Sequence, residues 1–320
     1  MPRPQPARWL VIAAFAAVYL IWGSTYLAIR FAIDTIPTFL MMGSRFALAG
    51  ALLMLFARAR GAALPTWKQV RNASIVGTLL FLVNNGILAW AAQHVPSGVL
   101  ALLVAAVPMW FALIDWLFNG ARPTPPVIVG LLLGVGGLAL LISPESFVGG
   151  DALTIPAAIA VVFGTIAWAS GSLLSRRIAM PAAPLISTGL QLFSGGVLLM
   201  ALDVLTGEVQ RFSLSQVSLQ SALSWIYLFT FGSIIAFSSY TFLLRVTTAT
   251  RAATYAFINP VVALFLGWLL GNEGLTQRTL LAGGIIVVAV AILILSRGQG
   301  TPIVAQTEVA ETEVAETKHA

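Results

Sequence analysis

Cysteine is missing from this 320-residue chain, histidine occurs twice (His94 and His319), and charged residues make up only 9% of it. Without cysteine there is no disulfide, no thiolate metal site and no thiol nucleophile. Two histidines leave little for a metal or catalytic centre, and nothing in the sequence calls for a metal or cofactor. Soluble domains carry roughly 25% charged residues. With 59% hydrophobic residues, this chain has too little polar surface to coat a globule. Carboxylates are scarce where they would matter most. None lies near the middle of an apolar run, with Asp115 and Asp203 falling toward run ends. Proton-coupled movement of cations draws on a buried acid, so a dedicated pump for cations is not expected, and the coupling ion stays open.

What is present is a series of long apolar runs. A spanning helix needs about 20 predominantly apolar residues, and ten candidates are found near 9–29, 38–57, 70–92, 97–118, 126–142, 155–174, 185–204, 222–244, 251–270 and 279–296. Proline, glycine and charged clusters bound them. The first run follows Arg3 and Arg8 as in a signal peptide, but it outlasts a signal core and lacks a polar cleavage region. It reads as a retained helix. The expected fold is all-α and polytopic, with ten transmembrane helices in the lipid bilayer.

The pI near 10.3 could suggest nucleic acid, yet the charges are scattered between apolar runs and fit anchoring at a membrane face instead. With the N-terminus inside, thirteen of the seventeen Lys and Arg residues fall on the cytoplasmic side. Three (Arg30, Arg211, Arg278) fall outside, and Arg45 lies within a span. That bias places both termini in the cytoplasm.

The two halves echo each other. Trp22, Ser24, Leu27, Arg30, Gly43 and Gly50 recur 146 positions later as Trp168, Ser170, Leu173, Arg176, Gly189 and Gly196. Pro108, Trp116 and Thr124 recur as Pro260, Trp268 and Thr276, after a slip of six residues. Each half holds five spans, and an odd-numbered repeat re-enters the membrane the other way up. Inverted repeats of this kind build many secondary transporters. The chain divides into a cytoplasmic N-terminus (1–8), a first five-helix repeat (9–142), an external linker (143–154), a second repeat (155–296) and a tail (297–320). The tail repeats Thr-Glu-Val-Ala-Glu and is expected to be disordered.

Polar groups within spans are functional candidates by default. Arg45, two turns into the second span, reads either as a positive charge facing a cavity and available to a substrate carboxylate or a carbonyl, or as a structural arginine whose stem snorkels while its guanidinium caps backbone carbonyls or a neighbouring helix. Asn85 beside Asn84, mid-way along the third span, offers amide donors and acceptors to a polar solute or serves as interhelical glue. Ser239, with Ser238 and Tyr240, has a similar depth in the eighth span. Pro108 and Pro260 interrupt the fourth and ninth spans and free backbone carbonyls. Their pairing favours a mechanical role over packing kinks. Tyr255 and Asn259, one turn apart, share a face beside Pro260. Trp22 and Trp168 lie deep in their spans, away from the headgroup belts, as walls for an apolar solute or as core packing. The Gly-rich fifth and tenth spans suit either homodimer contacts or packing within one chain.

Several motifs resemble one family. Tyr19-Leu20-Ile21-Trp22-Gly23-Ser24-Thr25-Tyr26 looks like the first-helix signature of the drug/metabolite transporter superfamily, EamA type. Arg45-Phe46, Val95-Pro96-Ser97-Gly98, Gly232-Ser233-Ile234-Ile235-Ala236, Asn259-Pro260-Val261-Val262 and Gly271-Asn272-Glu273 add to the likeness, which covers 9–296. The resemblance implies two inverted five-helix bundles around a central cavity in a bacterial inner membrane, exporting small metabolites. Helices 1, 3, 4, 6, 8 and 9 line the cavity in relatives. That makes Trp22, Asn85, Trp168, Ser239, Tyr255 and Asn259 the candidate substrate-binding residues, with Arg45, Pro108 and Pro260 structural or gating. The chain departs from the pattern at Asn119-Gly120, where Gly-Glu often stands, so the family acid occurs only once, as Glu273.

The expected activity is alternating-access export of a small amphipathic solute, neutral or zwitterionic, such as an amino acid or a drug. No catalytic set is present for the rival reading, a lipid-modifying membrane enzyme. A non-catalytic scaffold or sensor is the other alternative.

Overall fold

The computed structural model describes residues 7–119, 122–142, 154–247, 249–252 and 254–296. The linker segment 143–153, Gly120, the tail from 297 and residues 1–6 lie outside them, as do the side chains of Asp115 and Asn119. Every regular element among the described residues is helical.

Ten helical units follow the ten apolar runs: α1 (Arg8–Ala32), α2 (Thr38–Ala59), α3 (Trp67–Ala91), α4 (Ser97–Val104 and Val107–Asn119), α5 (Pro125–Leu141), α6 (Thr154–Ser175), α7 (Pro184–Thr206), α8 (Leu219–Tyr227 continuing through Leu228–Ile235 and Ala236–Val246), α9 (Tyr255–Leu270) and α10 (Gln277–Ser296). Eight of these runs are long and apolar enough to cross a membrane, and α5 and α9 are shorter apolar helices. Local chemistry sets the ends. A capping box at Thr66 and Gln69 opens α3. Prolines at the first turn open α5 and α7, and Gly207, at φ 75°, closes α7 in the left-handed conformation.

α2 and α4 start after Pro37 and Pro96, and neither has a side-chain cap of its own. Distant acids supply what is missing. Glu208 Oε2 accepts from the Thr38 N–H at 3.1 Å and Asp203 Oδ1 from the Leu40 N–H at 3.2 Å, both from the end of α7. Glu273, after α9, accepts from Ser97 and Gly98 at 2.8 and 3.2 Å. Carboxylates at helix N-termini satisfy orphan donors and suit the helix dipole.

The echoed glycines meet across the molecule. A Cβ on Gly43 would lie 2.8 Å from the Gly196 carbonyl, and one on Gly196 would lie 2.7 Å from the Gly43 carbonyl. Gly50 and Gly189 stand in the same relation, at 2.5 and 2.8 Å. Gly43 thus touches the counterpart of Gly50, and Gly50 the counterpart of Gly43. Such reciprocal contact is the mark of a two-fold axis, here inside one chain, with α2 and α7 antiparallel. The fold is therefore two inverted five-helix repeats, with bare backbones allowing the helices to touch.

The Gly-rich pair α5 and α10 also packs within the chain. Gly130 and Gly137 fit against Leu293 and Ile286, while Gly136 and Gly284 meet nothing within 4 Å.

Candidate functional site

α3 and α8 share a feature that neither sequence pattern announces. Thr78–Asn85 and Leu228–Ile235 are π-helical, eight residues each at an interval of 150. In each, a polar side chain reaches back five residues to a carbonyl. Asn85 Nδ2 donates to Leu80 O at 2.8 Å, and Ser233 Oγ donates to Leu228 O at 3.2 Å. π-bulges widen a helix and concentrate at functional sites. The amide of Asn85 is thus engaged on its own helix, keeping one N–H and its oxygen free. Asn84 is buried against Gly164 of α6. At this depth of α8 the buried hydroxyl is that of Ser233, whereas Ser239 is half-buried.

Trp22 stands against α8 and α9. Its indole N–H donates to the Gly232 carbonyl at 3.3 Å, inside the α8 π-segment. Its ring centroid lies 5.3 Å from Tyr240 and 5.1 Å from Tyr255, the latter edge-on. Asn259 ties this cluster to the backbone. With its amide oriented to suit its neighbours, Nδ2 donates to the carbonyls of Tyr255 and Tyr19 at 3.2 Å each, joining α9 to α1. Tyr19 and Thr254 hydroxyls meet at 2.5 Å. Trp22, Tyr255 and Asn259 are therefore one assembly.

Trp168 belongs to another. It packs edge-on to Phe81 at 6.3 Å, and Phe81 packs edge-on to Phe46 at 4.9 Å. No ring contact joins Trp22 to Trp168 among the described residues; each ring packs in its own aromatic cluster. They are connected instead through Arg45. Its guanidinium carbon sits 4.4 Å from the Phe46 ring centre, and its Nη1 would be 3.9 Å from a Cβ placed on Gly232. Arg45 is only 5% exposed, its Nε has no partner, and no described carboxylate pairs with it. An arginine at the bilayer centre costs about 2.5–3.5 kcal/mol on insertion scales.

The prolines differ from one another. α4 breaks at Ala105–Ala106, two residues before Pro108, whereas α9 runs continuously through Pro260. Pro260 lies within the second turn of α9, and a separate single turn, Ala249–Ala252, precedes that helix. Ahead of Pro108 the first segment of α4 ends at Val104, the i−4 residue whose carbonyl has no N–H to meet; ahead of Pro260 the i−4 residue, Ala256, already lies within α9.

At the end of the bundle bearing Arg30, Nη1 of that residue lies 2.6 Å from Glu273 Oε1. A hollow of about 420 Å³ beside it is lined by Asp34, Thr38, Gln93 and Glu208 among others. A second, of about 500 Å³, opens between α1, α8 and α9 with Leu20, Val261 and Phe265 on its rim and Ser24 and Tyr227, whose hydroxyls lie 2.6 Å apart, within it. Leu20, Val261 and Phe265 are all exposed, as on a lipid-facing surface. None of the six candidate substrate-binding residues lines either hollow.

The EamA-like transporter family matches residues 8–143 and 155–295. Among curated proteins, the uncharacterized inner membrane transporter YedA of Escherichia coli K12 is 38% identical over 289 residues, covering 90% of this chain and 91% of the relative. Protein PecM of Dickeya dadantii is 27% identical, over 86% and 88%. One solved structure shares the fold, with a TM-score of 0.61 at 19% identity, over 90% of this chain and 98% of that one.

Proposed function

Because the chain belongs to the EamA-like transporter family, we propose that it is a secondary transporter exporting a small amphipathic solute, neutral or zwitterionic, by alternating access. Its family and its relatives are transporters rather than enzymes. The similarity to an inner membrane transporter and the distribution of Lys and Arg support a bacterial inner membrane with both termini cytoplasmic. Amino acids and drugs are the solute classes that suit amide and aromatic neighbours. A homodimer is compatible with the uncovered Gly136 and Gly284.

The observation that carries this reading is the reciprocal glycine crossing of α2 and α7. It makes the two repeats inverted copies about one axis, so each can take the other's conformation and turn the site from one side to the other. Trp22, Tyr255 and Asn259 supply the aromatic and amide surface from α1 and α9. Asn85 and Trp168 supply it from α3 and α6, and Ser239 adds a hydroxyl from α8. Arg45, Pro108 and Pro260 are the structural or gating candidates.

The test is counterflow in proteoliposomes. Vesicles preloaded with one amino acid or drug should accumulate its labelled form, and Trp22→Ala and Asn259→Leu should reduce that uptake. Folded wild-type protein that exchanges no member of a broad metabolite and drug panel would refute the proposal.

A further inference from the structure

Arg45 is a buried cation with no counter-charge among the described residues, and beside it there is room for a methyl group. Most glycines of the helix contacts are there because a side chain would collide: a Cβ on Gly43, Gly50, Gly189 or Gly195 would come within 2.5–2.8 Å of another helix's backbone. Gly232 differs. A Cβ there would meet nothing closer than Thr25 Cγ2 at 3.4 Å and Arg45 Nη1 at 3.9 Å. The gap is bounded by α1, α2 and the π-segment of α8, and the Gly232 carbonyl at its edge is already taken by the Trp22 indole. Thr25 donates its hydroxyl hydrogen to the Trp22 carbonyl at 2.6 Å, so its oxygen keeps only acceptor capacity. Among the described residues the neighbourhood therefore presents the guanidinium and no compensating acid.

Its flanks are aromatic. Phe46 lies under the guanidinium and leads through Phe81 to Trp168, while Trp22 leads to Tyr240 and Tyr255. Arg45 thus sits between two aromatic clusters, each built from both repeats. Guanidinium favours bidentate pairing with carboxylates, and a charge this poorly solvated gains most from a ligand of opposite sign.

We propose that Arg45 is the binding residue for a carboxylate carried by the solute, whose apolar or aromatic body lies against the Trp22 or Trp168 cluster. This rests on the export reading for its physiological meaning and narrows the solute to carboxylates: apolar amino acids or the corresponding acids. Arg45 then acts on the cargo directly and is more than a structural arginine.

The test uses purified full-length protein and two matched pairs, phenylalanine with phenylalanine amide and indole-3-acetate with indole-3-acetamide. Binding is read by thermal shift and by titration of tryptophan fluorescence. At least one acid should bind the wild type and its amide should bind about thirtyfold more weakly or worse, the loss expected when a buried charge pair is broken. Arg45→Gln should erase the preference for the acid, and Arg45→Lys should keep part of it. Gly232→Val, which fills the gap and leaves Arg45 in place, should weaken acid binding with folding intact. If Arg45→Gln does not fold, the wild-type pairs and Gly232→Val decide the matter.

Equal binding of acids and amides, no binding of either acid by folded wild type, or an acid preference that survives Arg45→Gln would each overturn the assignment. Counterflow separates the two proposals. Amides exchanged as readily as acids would leave export standing and remove Arg45 from binding. Arg45-dependent acid binding without counterflow of any solute would do the reverse.

Discussion

Arg30 Nη1 and Glu273 Oε1 lie 2.6 Å apart, and the same carboxylate accepts the first two N–H groups of α4, from Ser97 and Gly98. One side chain therefore fastens the end of α1 and the start of α4 to the turn after α9. Its surroundings enforce the fit. A Cβ on Gly267 would lie 2.5 Å from Glu273 Oε2, and Asn272 takes a left-handed φ of 52° to deliver the acid.

The two partners of this ion pair should not count equally. Arg30 is 43% exposed and Glu273 5% at the side chain. Arg30→Gln is expected to cost about 1 kcal/mol or less, as for exposed pairs. Glu273→Gln removes the charge from two buried backbone N–H groups and should cost about 2 kcal/mol. Unfolding in detergent, comparing both variants with the wild type, checks the order.

Gly50 has no room for a side chain, since its Cβ would lie 2.5 Å from the Gly189 carbonyl. Gly50→Ala should destabilise the protein by about 1–3 kcal/mol through overpacking. Gly136→Ala and Gly284→Ala, at positions with nothing within 4 Å, should leave thermal stability unchanged or slightly raised. A melting series on the three variants is the measurement.

Asn85 and Ser233 each tie a π-segment together across five residues. Asn85→Leu and Ser233→Ala each release a carbonyl, at about 1 kcal/mol. Both should also lower counterflow if the widened turns belong to the transport pathway. Unchanged exchange in both variants would confine the π-segments to packing.

Trp22 has two separable contributions, its N–H to Gly232 and its ring against Tyr240 and Tyr255. Trp22→Phe gives up the first, at about 1 kcal/mol. Trp22→Ala gives up both, at about 3 kcal/mol or more. Equal losses in the two variants, measured by chemical unfolding, would show that the indole N–H dominates.

The helices and their echo were legible in sequence because apolar length and matched Trp, Gly and Pro residues are one-dimensional signals. The glycines show how far such signals reach. Their matching at an interval of 146 disclosed the duplication, but only packing reveals that Gly43 meets Gly196 and Gly50 meets Gly189. The π-segments went unread because an i−5 hydrogen bond leaves composition and hydropathy unchanged. Glu208 and Asp203 went unread as caps because they act on a helix more than 160 residues away in sequence. Pro37 and Pro96, which cannot cap with a side chain, were the available hint. Among the candidate residues, the polar side chains were legible in sequence but their companions were not. Asn259 proves to be shared between two carbonyls, and Trp168 stands with Phe81 rather than with Trp22.

Where α2 crosses α7, backbone rests on backbone at two points seven residues apart on each helix. Contact between bare main chains has no flexible side chain to absorb a small slide, and a slide of a whole turn would drive neighbouring side chains into the gap. If the protein works by the alternating access proposed above, the crossing is its hub, and any change of facing has to be made by the helices around it. Spin labels on α2 and α7 would then keep one separation throughout the cycle, while labels on α1 and α9 would not.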